Sequence, residues 1–249
     1  MLRVHAHTTL AIRMIRRALS NSRIAGEAGF RWRGHEVTRL EGFTDAVFAF
    51  AVTLLVVSLE VPKTYPELIE TMQGFPAFGI CFALLAVLWY EHYRYFRRYG
   101  LESSVAVILN CALLFCVLLY VYPLKFLFAA ALRHASYTEQ QVRMLFTIFS
   151  AGFSAVSGVF WLLYRYAWSC REELDLAALE LLRTRKSLLD QSFMVLLGSA
   201  SILIAQLGPI STVSLAGLVY FMIPVYHTIA GRIWGRREHG LPADSHGAG

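Results

Sequence analysis

The stretch Arg39-Leu40-Glu41-Gly42-Phe43-Thr44-Asp45 runs directly into an apolar segment that extends from Ala46 to Val57. Thr53 is the only polar side chain between Ala46 and Val57. An apolar run of this kind can enter a membrane, and ionisable side chains at its edge cost free energy unless they face partners. The fold and the function therefore depend on what Arg39 and Asp45 face.

The composition of the whole chain is that of a membrane protein. Of the 249 residues, 57% are hydrophobic and only 16% are charged, whereas a soluble domain carries about 25% charged residues. The net charge of +6 does not indicate nucleic-acid binding, because the basic residues alternate with apolar spans instead of gathering on one soluble face. We therefore predict an all-α, polytopic protein whose partner is the lipid bilayer.

Six apolar segments are predicted to cross the membrane as helices. They cover approximately Glu41–Leu59, Gly74–Tyr90, Ser104–Phe128, Glu139–Tyr166, Leu188–Leu207 and Ile210–Ala230. Thr38 with Glu41, and Thr138 with Gln141, have the spacing of capping boxes, which mark helix starts. The charged segment Arg171–Ser187 has leucines at helical spacing and is predicted to form a cytoplasmic helix.

The positive charges orient these spans. Nineteen of the 23 Lys and Arg residues lie before the first span, at or after the ends of the second and fourth spans, or in the tail. The positive-inside bias then places both termini in the cytoplasm of a plasma-membrane protein. The predicted organisation is a basic, flexible or loosely amphipathic cytoplasmic arm (1–37), a six-helix transmembrane domain (38–231) and a cytoplasmic tail (232–249).

The sequence contains no motif that indicates an enzyme, a cofactor or a metal. The four cysteines do not form a CxxC pair, so neither a disulfide framework nor a metal site is supported. HExxH and phosphate-binding loops do not occur. We therefore predict that the protein is not an enzyme.

Polar side chains from three predicted helices lie at one depth. Arg39 and Asp45 begin the first span, His92 ends the second, and Asn110 lies about two turns into the third. A cluster of partners at one level would offset the cost of placing polar groups near the membrane. We predict that Asp45 packs inward toward His92 and Asn110.

The first span has a second, apolar face. At about 100° per residue, Ala46, Phe50, Thr53 and Val57 fall within about 60° of one another, and Asp45 lies about 140° from Phe50. If Asp45 faces the neighbouring spans, this second face is turned toward lipid or toward an oligomer axis. Because Arg39 to Asp45 occurs once and no long-period repeat is present, a pore lined by this helix would need an oligomer.

Three segments of the sequence resemble the transmembrane protein 175 family of potassium channels. The first is Arg39, Phe43, Thr44 and Asp45, followed by Thr53-Leu54-Leu55 and Glu60-Val61-Pro62. The second is Trp89 and His92 with Phe96, and the third is Asn110. The likeness covers about residues 38–125, and Thr44 stands where the family usually has serine.

The resemblance implies a six-helix subunit that assembles as a homotetramer around a potassium-permeable pore lined by the first helices. It implies that Phe50, Thr53 and Val57 form the constriction and the layers beyond it, with Phe50 bulkier than the usual Ile or Leu. It also implies a packing network behind the pore helix. The members of that network are Arg39, Phe43, Thr44, Asp45, Trp89, His92 and Asn110.

Other interpretations of these residues stay open at this stage. Arg39 and Asp45 could serve helix-terminus electrostatics alone, and Thr53 could bond its own backbone. The whole protein could instead be a small solute transporter with alternating access, although no inverted repeat is apparent. It could also be a non-conducting membrane assembly protein with the same fold and a sealed pore.

Overall fold

The computed structural model describes residues 30–239, apart from residue 35 and residues 58–61, 133–136, 210–212 and 214. Within these ranges the chain forms α-helices and one short 3-10 helix, Val219–Phe221, and contains no β-strand. The α-helices, in chain order, are α1 Arg39–Val57, α2 Tyr65–Gln73, α3 Phe75–Tyr99, α4 Ser104–Leu132, α5 Glu139–Ser169, α6 Ala178–Leu207, α7 Leu215–Leu218 and α8 Met222–His239.

Four of the described helices are long and apolar enough to cross a membrane by length and composition: α3, α4, α5 and α6. α1 has 19 residues, which corresponds to about 28 Å of helix and is close to the hydrocarbon thickness of a bilayer, about 30 Å. The all-helical, multi-pass character predicted from the sequence is confirmed.

The two predicted capping boxes are confirmed at the starts of α1 and α5. The Thr38 hydroxyl accepts from the Glu41 amide at 3.1 Å, and the Glu41 carboxylate accepts from the Thr38 amide at 2.9 Å. Thr138 and Gln141 exchange the same pair of bonds. Each box satisfies two amides that a helix start would otherwise leave without a partner.

The second predicted span, Gly74–Tyr90, lies in a helix that is longer than predicted. α3 continues past Tyr90 to Tyr99 and ends where Gly100 adopts the left-handed conformation, with φ of 58°. Aromatic and basic side chains do not break a helix, so the residues after Tyr90 extend the helix beyond the predicted span. Glycine supplies the stop because it enters this region of φ without steric cost.

The predicted cytoplasmic helix and the fifth predicted span form one uninterrupted helix, α6. The residues from Cys170 to Asp175 form turns, and the helix begins only at Ala178. The prediction of a helix starting at Arg171 is therefore wrong. The turn is stabilised locally, since the amides of Leu174 and Leu176 donate to the carbonyls of Cys170 and Arg171.

The sixth predicted span, Ile210–Ala230, is divided. α7 and the 3-10 helix precede α8, which then continues beyond Ala230 to His239. Pro224 has no amide hydrogen to donate to the preceding turn, and a first helical turn tolerates this loss best. The proline therefore lies in the first turn of α8, which begins at Met222.

We call the end of the bundle at which α1 begins the Arg39 end. Two buried tyrosines of α3 hold it together: the Tyr95 hydroxyl donates to the Leu163 carbonyl of α5 at 2.9 Å, and the Tyr99 hydroxyl bonds Thr184 of α6 at 2.8 Å. Bonding each hydroxyl is what allows these large side chains to be buried.

The predicted N-terminal arm is ordered against this end over part of its length. Phe30 is 4% exposed and belongs to the hydrophobic core. The expectation of a flexible or loosely amphipathic arm up to residue 37 is therefore wrong for Phe30–Gly34, and residues 1–29 lie outside the described part. Packing removes the apolar ring of Phe30 from water, and this favourable burial holds the segment against the helices.

Candidate functional site

The first helix has a buried face and an exposed face. The buried face consists of residues spaced by three or four positions, as expected for one side of an α-helix: Glu41, Thr44, Phe48, Ala51 and Leu55. The exposed face carries two large aromatic side chains, Phe43 at 54% and Phe50 at 56% exposure. α1 therefore packs against α3 and α4 with one side only.

A polar network crosses from the buried face of α1 to both neighbouring helices. The Asn110 amide nitrogen of α4 donates to the Thr44 hydroxyl at 2.9 Å, and its carbonyl oxygen bonds His92 Nε2 of α3 at 2.8 Å. Asn110 and Thr44 are 0% exposed and His92 is 2% exposed. One side chain thus ties three helices together at a single level.

The donors and acceptors of this network are matched throughout. The Thr44 hydroxyl donates to the Leu40 carbonyl at 2.9 Å, so it accepts from the Asn110 amide without conflict. The Asn110 oxygen can only accept, so His92 must carry its proton on Nε2. The structure brings His92 and Asn110 together, and Thr44 is the partner of Asn110 on α1.

Asp45 does not join His92 and Asn110, in contrast to the prediction. Its carboxylate accepts from Trp89 Nε1 at 2.8 Å, at an exposed position on the surface of the chain. Adjacent helix residues point about 100° apart, so Thr44 faces α4 while Asp45 faces the outer side of α3. Trp89 and His92 are three residues apart on α3: Trp89 bonds Asp45 directly, and His92 reaches Thr44 only through Asn110.

Arg39 and Phe43 were also predicted to belong to the packing network, and the structure places both elsewhere. Both are exposed. Seven residues separate Phe43 from Phe50, which is nearly two helical turns, so both rings lie on the same side of α1. Sequence adjacency to Thr44 and Asp45 suggested a common role, but helix rotation separates them.

Two of the residues predicted to form the constriction, Phe50 and Thr53, lie on the exposed face of α1. Ala46, Phe50 and Thr53 are all exposed. The Thr53 hydroxyl donates to the Ala49 carbonyl at 2.9 Å, so its proton is used within the helix while its oxygen faces outward. Val57 is the last residue of α1, and its side chain lies outside the described part.

One contact of α1 was missed by sequence reasoning. Lys125 of α4 donates from Nζ to the Leu55 carbonyl at 2.8 Å, in the last turn of α1. The carbonyls of a last helical turn have no partner within their own helix, and a cation there also complements the helix dipole. A single lysine inside the apolar run of the third predicted span was the available signal.

The cysteine and acidic side chains of the described residues do not indicate a disulfide or a metal site. Cys81, Cys111, Cys116 and Cys170 are free thiols. Among the residues that the structure describes, no group of three or more His, Cys, Asp or Glu side chains is arranged to hold a metal ion.

Comparisons with a family model and with curated proteins identify potassium channels as proteins similar to this chain. The family model described as endosomal/lysosomal potassium channel TMEM175 matches residues 39–120, which include α1, α3 and the Asn110 turn of α4. A curated protein named potassium channel, from Marivirga tractuosa, is 36% identical over 233 residues, covering 86% of this chain and 94% of its own length.

Two solved structures share the fold. A variant of the potassium channel MtTMEM175, crystallised with a nanobody–MBP fusion, matches with a TM-score of 0.75 and 35% identity, covering 85% of this chain and 100% of that chain. A lysosomal potassium-selective channel TMEM175 homolog from Chamaesiphon minutus matches with a TM-score of 0.54 and 25% identity, covering 80% and 96%. These relatives are ion channels and not enzymes, and the chain described here belongs to the TMEM175 family of potassium channels.

Proposed function

We propose that this chain is the subunit of a potassium-permeable channel of the plasma membrane, in which α1 from each subunit lines the pore of a homotetramer. The observation that carries the proposal is the division of α1 into two faces. The buried face is bonded and packed within the subunit, whereas the face of Phe43, Ala46, Phe50 and Thr53 is exposed, with no cover from the part of the chain that the structure describes.

The exposed face of α1 can serve as a pore wall only in an oligomer. A single helix cannot enclose a pathway, so the exposed faces of several subunits would have to meet around an axis. In such an assembly four Phe50 rings would form an apolar constriction, which can stop ions by excluding water. The outward oxygen of Thr53 would follow one turn further along the path, and Val57 another turn beyond it.

The network behind this face has a different proposed role. Thr44, His92 and Asn110 fix the rotation of α1 about its own axis, and Asp45 with Trp89 adds a second contact at the same level. Interhelical hydrogen bonds in membranes contribute only about 0.6 kcal/mol each. Their value therefore lies in setting which residues of α1 face the axis.

The proposed topology has six membrane crossings and both termini in the cytoplasm. α3 to α6 supply four crossings, α1 supplies the first, and α7 with α8 supplies the last. The Arg39 end would face the cytoplasm, since the connections at that end carry most of the Lys and Arg residues.

Potassium flux from liposomes that contain the purified protein tests this proposal, together with a mass measurement in detergent. Passive, non-saturating potassium flux from a tetramer is the expected result. Saturable uptake coupled to a solute would instead support a transporter with alternating access. An intact tetramer without flux would support a membrane assembly protein with a sealed pore.

A further inference from the structure

The five residues Phe30–Gly34, which we call the N-terminal clasp, lie in a pocket of the Arg39 end just before α1. The Phe30 ring meets the Tyr99 ring edge-on, with centroids 5.8 Å apart, and the Arg98 guanidinium carbon lies 4.9 Å from the Phe30 ring centre. This packing removes Phe30 from water and anchors the first residue of the clasp to the end of α3.

A buried ion pair anchors the other side of the clasp to α6. Arg33 Nη2 and the Glu180 carboxylate are 2.6 Å apart, and the two side chains are only 12% and 3% exposed. The same carboxylate accepts from Arg33 Nη1 at 3.1 Å, from the Arg31 amide at 2.7 Å and from the Ala177 amide at 3.1 Å. Four N–H groups therefore converge on the carboxylate of Glu180.

The N–H groups of the Arg33 guanidinium also donate to backbone carbonyls. Nε donates to the Leu174 carbonyl at 3.0 Å and Nη2 to the Asp175 carbonyl at 3.2 Å, both in the turn that precedes α6. Only the planar fork of an arginine reaches this set of acceptors together with a carboxylate. Positive charge on the cytoplasmic side of a membrane would not require such burial, so orientation alone does not account for Arg33.

The backbone of the clasp is attached to α3 as well. The amides of Arg33 and Gly34 both donate to the Arg97 carbonyl, at 3.0 and 3.2 Å, and Arg97 Nη1 donates back to the Gly34 carbonyl at 2.9 Å. A Cβ atom on Gly34 would lie 2.9 Å from the Phe96 carbonyl oxygen. The chain can approach α3 this closely only because residue 34 is glycine.

The clasp is joined to α1 by a very short connection. Four residues, 35 to 38, separate Gly34 from Arg39 at the start of the helix. A connection of this length spans at most about 15 Å even when fully extended. The ends of α3 and α6 therefore restrict where the first turn of α1 can lie.

From this geometry we infer that Arg33 and Glu180 are positioning residues for the pore helix, and that their ion pair couples α6 to the start of α1. The inference rests on the proposed channel function for its effect on conduction, but not for its effect on structure. Arg33 and Glu180 act through α1 and do not line the exposed face that carries Phe50.

The test uses the full-length protein in liposomes with the variants Glu180→Gln and Arg33→Lys. Lysine keeps the charge of Arg33 but cannot make the forked contact, so both variants should behave alike. The matched controls are Arg31→Gln, whose side chain is 63% exposed, and Glu173→Gln, which is exposed on the turn that precedes α6. If Glu180→Gln yields no tetramer, Arg33→Lys supplies the same comparison.

The first measurement is hydrogen exchange, which does not depend on conduction. In both variants the amides of Arg33 and Gly34 and those of the first two turns of α1 should exchange at least about tenfold faster than in the wild type. The controls should leave them unchanged. Faster exchange confined to the clasp, with α1 unaffected, would overturn the inference.

The second measurement is single-channel recording. Open probability should change by at least about threefold in both variants and equally in the double variant, since the two residues act as one unit. Unit conductance and ion preference should stay at the wild-type values, whereas a folding defect would only lower the number of channels. Unchanged open probability would contradict the inference. Absence of current in the wild type would refute the proposed channel function, while the exchange result would still decide the role of the clasp.

Discussion

The two faces of α1 differ in how their residues are held. On the buried face Thr44 shares its hydroxyl between Asn110 and its own backbone. On the exposed face Phe50 is apolar and 56% exposed, and the Thr53 hydroxyl bonds its own helix. This contrast indicates that assembly and conduction can be assigned to opposite sides of one helix. Mutations on the buried side should then reduce assembly, and mutations on the exposed side should change conduction.

The largest effect is expected for Asn110→Ala, which removes the partner of Thr44 on the buried face of α1. The change leaves Thr44 and His92 without their shared partner in a buried position, at a cost of about 1–3 kcal/mol for each unsatisfied group. We expect most of the tetramer to be lost, as measured by size-exclusion chromatography and thermal unfolding in detergent. Cys111→Ala, an exposed neighbour on the same helix, is the control. A stable tetramer with changed conduction would show that the buried face is not structural.

The next effect should appear on the exposed face with Phe50→Ala. If Phe50 forms the proposed apolar constriction, removing its ring from each subunit would let water in and should raise potassium flux about tenfold or more, with little change in thermal stability. Phe115→Ala, which removes an exposed phenylalanine from α4, is the matched control. Equal flux in a folded Phe50→Ala tetramer would place Phe50 away from the axis.

A smaller effect is expected where the two faces meet, at Asp45 and Trp89. Asp45→Ala and Trp89→Phe each remove the same exposed hydrogen bond and should each lower the stability of the tetramer by about 1 kcal/mol. The double variant should cost little more than either single variant, which a thermodynamic cycle of unfolding midpoints can measure. A normal tetramer with altered ion preference would instead assign Asp45 to the pore wall.

The smallest effect should come from Thr53→Val, which keeps the shape of the side chain and removes its oxygen. If that oxygen faces permeating ions, potassium flux should fall about threefold without a change in stability, a difference of about 0.6 kcal/mol. Thr53→Ser keeps the oxygen and should conduct like the wild type in the same flux assay. Identical flux from all three proteins would restrict Thr53 to its bond with the Ala49 carbonyl.

Local signals in the sequence predicted much of the fold. The capping boxes at Thr38 and Thr138 start helices where expected, because they depend only on residues within one turn. The meeting of His92 with Asn110 was also predicted, since helix polarity and position along the helix determine depth. These features require no knowledge of which neighbour a helix packs against.

The remaining features depend on rotation and on long-range contacts. Whether Thr44 or Asp45 reaches Asn110 is decided by a rotation of about 100°, which the pattern of α1 left open. Arg33 looked like one more positive charge in a basic arm, because its partner Glu180 lies 147 residues away in sequence. The continuity of α6 was missed because its charged and apolar halves have different compositions but the same helical period.

The unbroken length of α6 has a mechanical consequence. Its 30 residues correspond to about 45 Å of helix, against a bilayer hydrocarbon thickness of about 30 Å. A rod of this length must tilt or project, and its tilt depends on the thickness of the surrounding lipid. Because Glu180 stands at one end of the rod, a change in lipid chain length would displace the base of α1 through the clasp. In the proposed channel, membrane thickness would then alter the geometry of the pore.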